Sequence, residues 1–443
     1  MSAGMSSTHE RATALRGPMV WFSGDPTTDD ATALQYDSDG VVVFQDGLII
    51  ARGTASAILP TLAEGTEVHH HPQGLIAPGF VDTHLHLPQL DVLGSYGEQL
   101  LDWLNRYTFP NEQRFADPAV CAEEARFFVQ ALLAHGVTTS CVFASVHAQS
   151  AEALFAEAER VQMRVLTGKV MMDRNAPDAL CDTAQSAYDE SKGLIARWHG
   201  RGRARYVVTP RFAPTSTPAQ LEAAGSLMRE FPGVHMQSHV SENVKEVSWV
   251  RDLFPAQQNY VDVYDHFGLL GRRSILAHGI HLTDAEWARL SETETALSHC
   301  PTSNLFLGSG LFDLRRARTG AHPVRVGLGS DIGGGTSLSP FQTMGEAYKV
   351  AHLRGDSHDA ARLWWLHTAG AAQALDLGDH VGNLQPGFEA DAIVLDWQHL
   401  PVMARRLGRS TDILDTLFFL AACGDDRVQK ETWIAGKRVW QRE

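Results

Sequence analysis

Cysteine, basic charge and long apolar runs are what this sequence has least of, and each shortage removes a class of protein. Five cysteines, Cys121, Cys141, Cys181, Cys300 and Cys423, are scattered over 443 residues with no CxxC pair and an odd count. A disulfide framework is therefore not expected, and a reducing cytoplasmic setting is. Lysine plus arginine number 37 against 52 for aspartate plus glutamate, a formal net charge of −15. Such a chain is poorly suited to a phosphate backbone, so no nucleic acid is expected as partner and a small molecule is. No stretch approaches roughly 18 consecutive apolar residues, which excludes an evident membrane span. Residues 1–17 are polar and small, without the apolar centre of a signal peptide. A Gly-rich dinucleotide turn is missing as well, which argues against an open doubly wound sheet.

The two chain ends read as β structure. Val41–Phe44 and Leu48–Ile50 flank Asp46-Gly47, a strong hairpin signal. Ala390–Leu395 and Thr432–Trp440 return to the same character, with a turn at Ala435-Gly436-Lys437. Between the ends, eight short apolar strands alternate with helices: Phe80–His86, Thr138–Val146, Arg164–Met172, Ala204–Phe212, Val234–His239, Ser274–His278, Ala296–Cys300 and Val324–Ser330. Asp117-Pro118 supplies an N-cap and first-turn proline for a helix through Ala134, with Gly136 just beyond its end. This alternation predicts a (β/α)8 TIM-like barrel over residues 76–384. Residues 1–75 together with 385–443 are expected to pair into a small β-sandwich.

The richest stretch is Ile76–Asp91. His84 and His86 are two residues apart, so on a strand both imidazoles face one way. In a barrel of this kind chemistry collects at the carboxyl ends of the strands. Strand five ends in His239, followed at a turn by Glu242; strand six ends in His278, and Asp331 follows strand eight. Strand four ends in Arg211-Phe212. Four histidines and an aspartate at one end of an inferred barrel point to a metal site.

Pro78–His86 resembles the opening motif of the amidohydrolase superfamily. The later marks follow in order: Ser238-His239, Ala277-His278-Gly279, Ser298–Pro301 and Gly329-Ser330-Asp331. Four further segments, His86–Gln89, Trp103–Pro110, Thr209–Phe212 and Ser238–Asn243, are similar to the guanine-deaminating branch of that superfamily. The resemblance implies one Zn2+ per chain, with Fe2+ as the other candidate, held by His84, His86, His239 and Asp331. It implies a metal-bound hydroxide attacking C2 of guanine to give xanthine and ammonia. Glu242 would shuttle protons, with Asp331 and His278 assisting. Gln89, Arg211, Phe212, Trp103 and Leu104, with His239 and Asp331, would contact the purine. A homodimer is implied too.

Two departures narrow the metal count and the fold. Binuclear relatives use a carboxylated lysine at the end of strand four, where this chain has Arg211; Lys169 lies one strand earlier and reads as structural. The H-x-E and P-C-x-x-C pattern of the other zinc deaminases is missing. Rival readings keep the site but change the substrate to 8-oxoguanine, cytosine or a triazine, or make the chain a non-catalytic scaffold, although no ligand is lost here. The run His69-His70-His71-Pro72 reads as an exposed loop. His135, His147, His199, His266, His281 and His322 read as solvated, His299 as non-catalytic, Cys300 as at least half-buried and Trp364-Trp365 as packing. Asn304 falls near the mouth, outside the catalytic set.

Overall fold

Strand one, Phe80–His86, is buried at all seven positions, as a parallel strand covered on both faces must be. The computed structural model describes residues 11–28, 30–96 and 99–443; residues 1–10 of the expected small domain lie outside the described residues. The remaining barrel strands are Val137–Phe143, Arg164–Gly168, Arg205–Pro210, His235–Val240, Ser274–His278, Ala296–His299 and Val326–Leu328. They hydrogen-bond in chain order as one parallel sheet. The seam closes after strand eight: Asp331 N donates to His84 O at 2.8 Å and His86 N to Ile332 O at 3.0 Å. The TIM-like barrel expected from the alternation is the observed architecture.

Several strands are shorter than their apolar runs. Val324–Ser330 contributes only Val326–Leu328 to the ladder, because the chain leaves the sheet to carry Ser330 and Asp331 into the site. Thr138–Val146 likewise shortens to Val137–Phe143. Helices follow their caps. Asp117 accepts from Ala119 N to open Pro118–Ala134, and Thr283 and Glu286 form a reciprocal box opening Asp284–Glu292. Three helices beyond those expected each open on a local signal: Val244–Leu253 on an Asn243/Glu246 box, Pro401–Leu407 on its N1 proline and Ile413–Cys423 on the Asp412 cap. The run Ala360–Leu375 divides into Ala360–Leu366 and Ala369–Ala374. Ala371 and Ala372 of the latter join Val81, Leu166, Val207 and Ile275 in one apolar cluster.

Both chain ends build the second sheet. Its hydrogen-bonded path runs Lys437–Gln441, Gln429–Ile434, Ala392–Leu395, Leu75–Pro78, Thr13–Phe22, Leu34–Gln45 and Leu48–Thr54, with Glu67–His70 beside Thr13–Phe22. Asp46 (φ 51°) and Gly47 (φ 80°) make the turn that Asp-Gly favours.

The histidine run corrects its reading as an exposed loop. His69 and His70 end a short strand, and His71 is buried with Nε2 3.5 Å from Glu431 Oε2. His135, His147, His199 and His281 are half-buried rather than solvated, because each packs at an element end; His266 and His322 are exposed. Lys169 is fully buried, with Nζ 2.6 Å from Asp182 and 2.8 Å from Glu190. Its amine is committed to structural ion pairs. No helix among the described residues is long and apolar enough to cross a membrane.

Candidate active site

Strand alternation and barrel closure bring the separated ligand candidates together. One ligand atom from each of His84, His86, His239 and Asp331 lies within 4.8 Å of the others. His84 Nε2 and His86 Nε2 stand 3.2 and 3.3 Å from Asp331 Oδ1. Burial drives all three imidazoles below their ordinary pKa, His86 to about 3, so they are neutral with lone pairs free.

The tautomers and the backbone fit a cation. His239 Nδ1 donates to Arg211 O at 2.6 Å, which leaves Nε2 unprotonated and facing His86 Nε2 at 3.2 Å. His84 Nε2 is buried with no hydrogen-bond partner. Nitrogen lone pairs and a carboxylate converging in a buried space repel one another unless a positive ion lies between them. Three neutral imidazoles and one carboxylate suit zinc or ferrous iron. Asp82 steadies two ligand-bearing segments by accepting from His84 N and Ser330 N, both at 3.1 Å. Gly329 lies where a Cβ would come within 2.9 Å of His84 Cβ, so only glycine lets strand eight approach strand one. Ser241, His278 and Asp331 all have positive φ (47°, 74° and 49°), a conformation that side chains adopt rarely and that clusters at working sites.

A cavity of about 400 Å3 opens over this cluster. Gln89, Trp103, Leu104, Arg211 and Phe212 line it, and so do His239, Glu242, His278 and Asp331. Every expected site residue except His84 therefore reaches the cavity wall, and His84 sits behind it. Arg211 Nη1 grips both oxygens of Glu112 at 2.7 and 2.8 Å. Gln89 Oε1 accepts from Gly333 N at 3.3 Å, which leaves its amide NH2 as the unspent group. Trp103 is both wall and anchor: it is buried, and its Nε1 donates to Ser95 O at 3.2 Å.

Glu242 is fully enclosed. Burial first, and the Asp331 charge second, push its pKa up to about 8. Ser309 Oγ donates to its Oε1 at 2.9 Å, and its Oε2 lies 3.4 Å from His278 Nε2. His278 Nδ1 donates to Asn304 Oδ1 at 2.8 Å, so Nε2 is the acceptor that faces the cluster. Glu246 accepts from the backbone amides of Glu242 and Asn243 at 2.9 and 3.0 Å.

Glu112 and Ser309 had no signal in the sequence beyond polarity, whereas Glu246 is the N3 acid of the Asn243-x-x-Glu246 capping box. Phe143 had one. It pairs in register with His86, and its ring lies 4.7 to 5.0 Å from those of His84, His86 and His239. A large aromatic closing strand two marks that position. Asn304, left outside the catalytic set, directly orients His278. His299, read as non-catalytic, is buried and stacks on Phe312 at 4.7 Å with both ring nitrogens unbonded.

A parallel barrel whose strand ends present His-x-His, His, His and Asp over one cavity defines a class of metal-dependent hydrolases. Residues 75–439 match the model of the amidohydrolase family, and the chain belongs to that family. It is an enzyme, a hydrolase. Among its relatives, the guanine deaminase of Escherichia coli (strain K12) is 43% identical over 440 residues, spanning 99% of this chain and 100% of the relative. A probable guanine deaminase of Deinococcus radiodurans is 40% identical, spanning 93% of this chain and 95% of that protein. The solved structure of the Escherichia coli guanine deaminase superposes with a TM-score of 0.95 at 43% identity, covering 97% of this chain and 100% of the other. A guanine deaminase from C. acetobutylicum, solved with guanine bound in the active site, superposes with a TM-score of 0.88 at 26% identity, covering 97% and 100%.

Proposed function

We propose that this enzyme deaminates guanine hydrolytically, taking guanine and water to xanthine and ammonia. The observation that carries the reading is the composition of one cavity: Gln89 and the Glu112-braced Arg211 on the wall, with Glu242 raised to a pKa of about 8 beside the ligand cluster. The full-length likeness to guanine deaminases supports it.

One divalent ion, held by His84, His86, His239 and Asp331, would act as a Lewis acid that brings the pKa of water near neutrality. The protein's own groups then do the following. Arg211 donates from its remaining N–H groups to the purine O6, the amide of Gln89 donates to a ring acceptor, and Phe212, Trp103 and Leu104 cover the ring faces. Glu242, protonated at neutral pH, gives its proton to a ring nitrogen next to C2 and makes that carbon electrophilic. As the water oxygen adds to C2, His278 Nε2 and Asp331 Oδ2 stand ready to take up its proton. Glu242, deprotonated by the first transfer, then takes the water proton held by Asp331 and delivers it to the exocyclic nitrogen; the C2–N bond breaks, ammonia leaves, and the C2 hydroxyl returns its proton to Glu242 as the carbonyl of xanthine forms.

Within the same reading the metal is zinc, with ferrous iron compatible, at one ion per chain. The chain ends, 1–75 with 385–443, form a unit beside the 76–384 barrel; the strand Leu75–Pro78 straddles that join. The enzyme works in the cytoplasm, where five unpaired cysteines are suited, and as a homodimer. Purified protein incubated with guanine should release ammonia and xanthine stoichiometrically. Turnover of 8-oxoguanine, cytosine or a triazine in preference to guanine would replace this assignment.

A further inference from the structure

Glu246 is fully buried, and its Oε2 accepts from the backbone amides of both Glu242 and Asn243 at 2.9 and 3.0 Å. The bond to Asn243 is an ordinary capping box at a helix start. The bond to Glu242 is extra, and it fastens the backbone of the residue whose carboxyl lines the cavity. That backbone needs holding, because Ser241 before it sits at φ 47°, a conformation that persists only where the surroundings enforce it. Ile280 N and His281 N hold Ser241 O at 3.1 and 3.0 Å, and Glu246 holds the next two amides.

Glu246 is in turn held from a second helix, Tyr260–His266. Tyr260 OH donates to its Oε1 at 2.7 Å. Tyr260 is buried and its own backbone is pinned: Glu286 Oε1 accepts from Tyr260 N and Val261 N at 3.1 and 3.2 Å, while Glu286 Oε2 accepts from Thr283 Oγ1 at 2.8 Å. One phenol between two buried carboxyl groups thus links the cap of Asp284–Glu292 to the backbone of Glu242. Such groups add little net stability over apolar packing; what a fully partnered network adds is one defined geometry. Tyr264, four residues on and on the same helix face, holds a different segment: its OH donates to His239 O at 2.7 Å and accepts from Ala213 N at 3.1 Å.

We propose that Tyr260 is a positioning residue of the deamination, acting through Glu246 to fix where the Glu242 carboxyl stands; the inference rests on the guanine reading above. Proton transfer to the ring depends on that placement, and an error well under the length of a hydrogen bond is felt in the rate. Tyr260→Phe keeps the ring and removes only the hydroxyl. Glu246 Oε1 then has no partner in a buried space, and the carboxyl loosens its hold on the two amides as it turns to find one.

The test is a double-mutant cycle on the metal-loaded full chain, with guanine kinetics and metal content measured for each protein. Tyr260→Phe should lower kcat by about tenfold or more, with KM within about twofold of wild type and metal content unchanged. In the Glu242→Gln background, assayed at raised enzyme concentration, the same substitution should cost no further rate. Tyr264→Phe, which loosens strand five instead, should cost the same factor in both backgrounds. An unchanged kcat in Tyr260→Phe, an equal cost of that substitution in both backgrounds, or a coupling of Tyr264 to Glu242 as large as that of Tyr260 overturns the proposal. Wild-type protein that does not turn over guanine refutes the deamination reading and this inference with it, whereas guanine turnover that Tyr260→Phe leaves intact refutes the inference alone.

Discussion

Arg211 and Glu112 form a buried ion pair across 99 residues of sequence, with Arg211 Nη1 within 2.8 Å of both carboxylate oxygens. Glu112 itself is fully buried. The carboxylate aims the guanidinium and balances a charge that the cavity otherwise isolates. Glu112→Gln keeps the volume and removes the balance. It should lower stability by about 3 kcal/mol, measured by urea unfolding, and raise KM for guanine more than it lowers kcat. A variant with wild-type KM would show that Arg211 does not position the purine.

Removing the proposed shuttle has a different signature. Glu242→Gln should bind the metal at wild-type stoichiometry yet lose roughly 10²–10⁴ in kcat. Elemental analysis beside steady-state kinetics separates the two effects. Metal loss would move Glu242 into the ligand set.

The raised pKa of Glu242 makes a pH prediction. The proposed mechanism uses Glu242 protonated, so kcat/KM should fall as pH rises through its titration, at or below about 8, since a bound cation pulls the value down. In the metal-free protein the sign for stability is also fixed. Between the ordinary 4.5 and about 8 the folded state holds a proton that the unfolded state has released, so stability falls as pH rises across that window. Glu242→Gln removes this loss. The stability of metal-free wild type relative to the variant should therefore decline from pH 5 to pH 8, measured by denaturant unfolding.

Chelation should abolish activity, and zinc or ferrous iron should restore it. About one ion per chain is expected, and the loaded protein should melt at a higher temperature because the ion binds only the folded arrangement. Two tightly held ions per chain would contradict the commitment of Lys169 to Asp182 and Glu190.

Ser309 tests the support around Glu242. Ser309→Ala removes the hydroxyl that donates to Oε1 and should shift the alkaline limb of kcat/KM upward, because that bond favours the charged carboxylate. An unmoved pH profile would reduce Ser309 to packing.

The sequence by itself determined the barrel and the cluster of His84, His86, His239 and Asp331 at its rim. Alternation two residues apart aims His84 and His86 together. Apolar strands ending in His239 and His278 place those rings at one rim, and caps such as Asp117 and Thr283 mark where helices begin. These signals are local, written within a few residues of the group they position. Only the tertiary structure decided who braces whom. Glu112 against Arg211, Ser309 against Glu242 and Phe143 against the ligand imidazoles depend on strands and loops meeting across the barrel. His71 shows the same limit from the other side: a polar run beside a proline reads as a loop, yet pairing of the two chain ends buries it against Glu431. Periodicity encodes which way a side chain faces. Its partner is fixed only when the barrel seam closes and the chain ends pair.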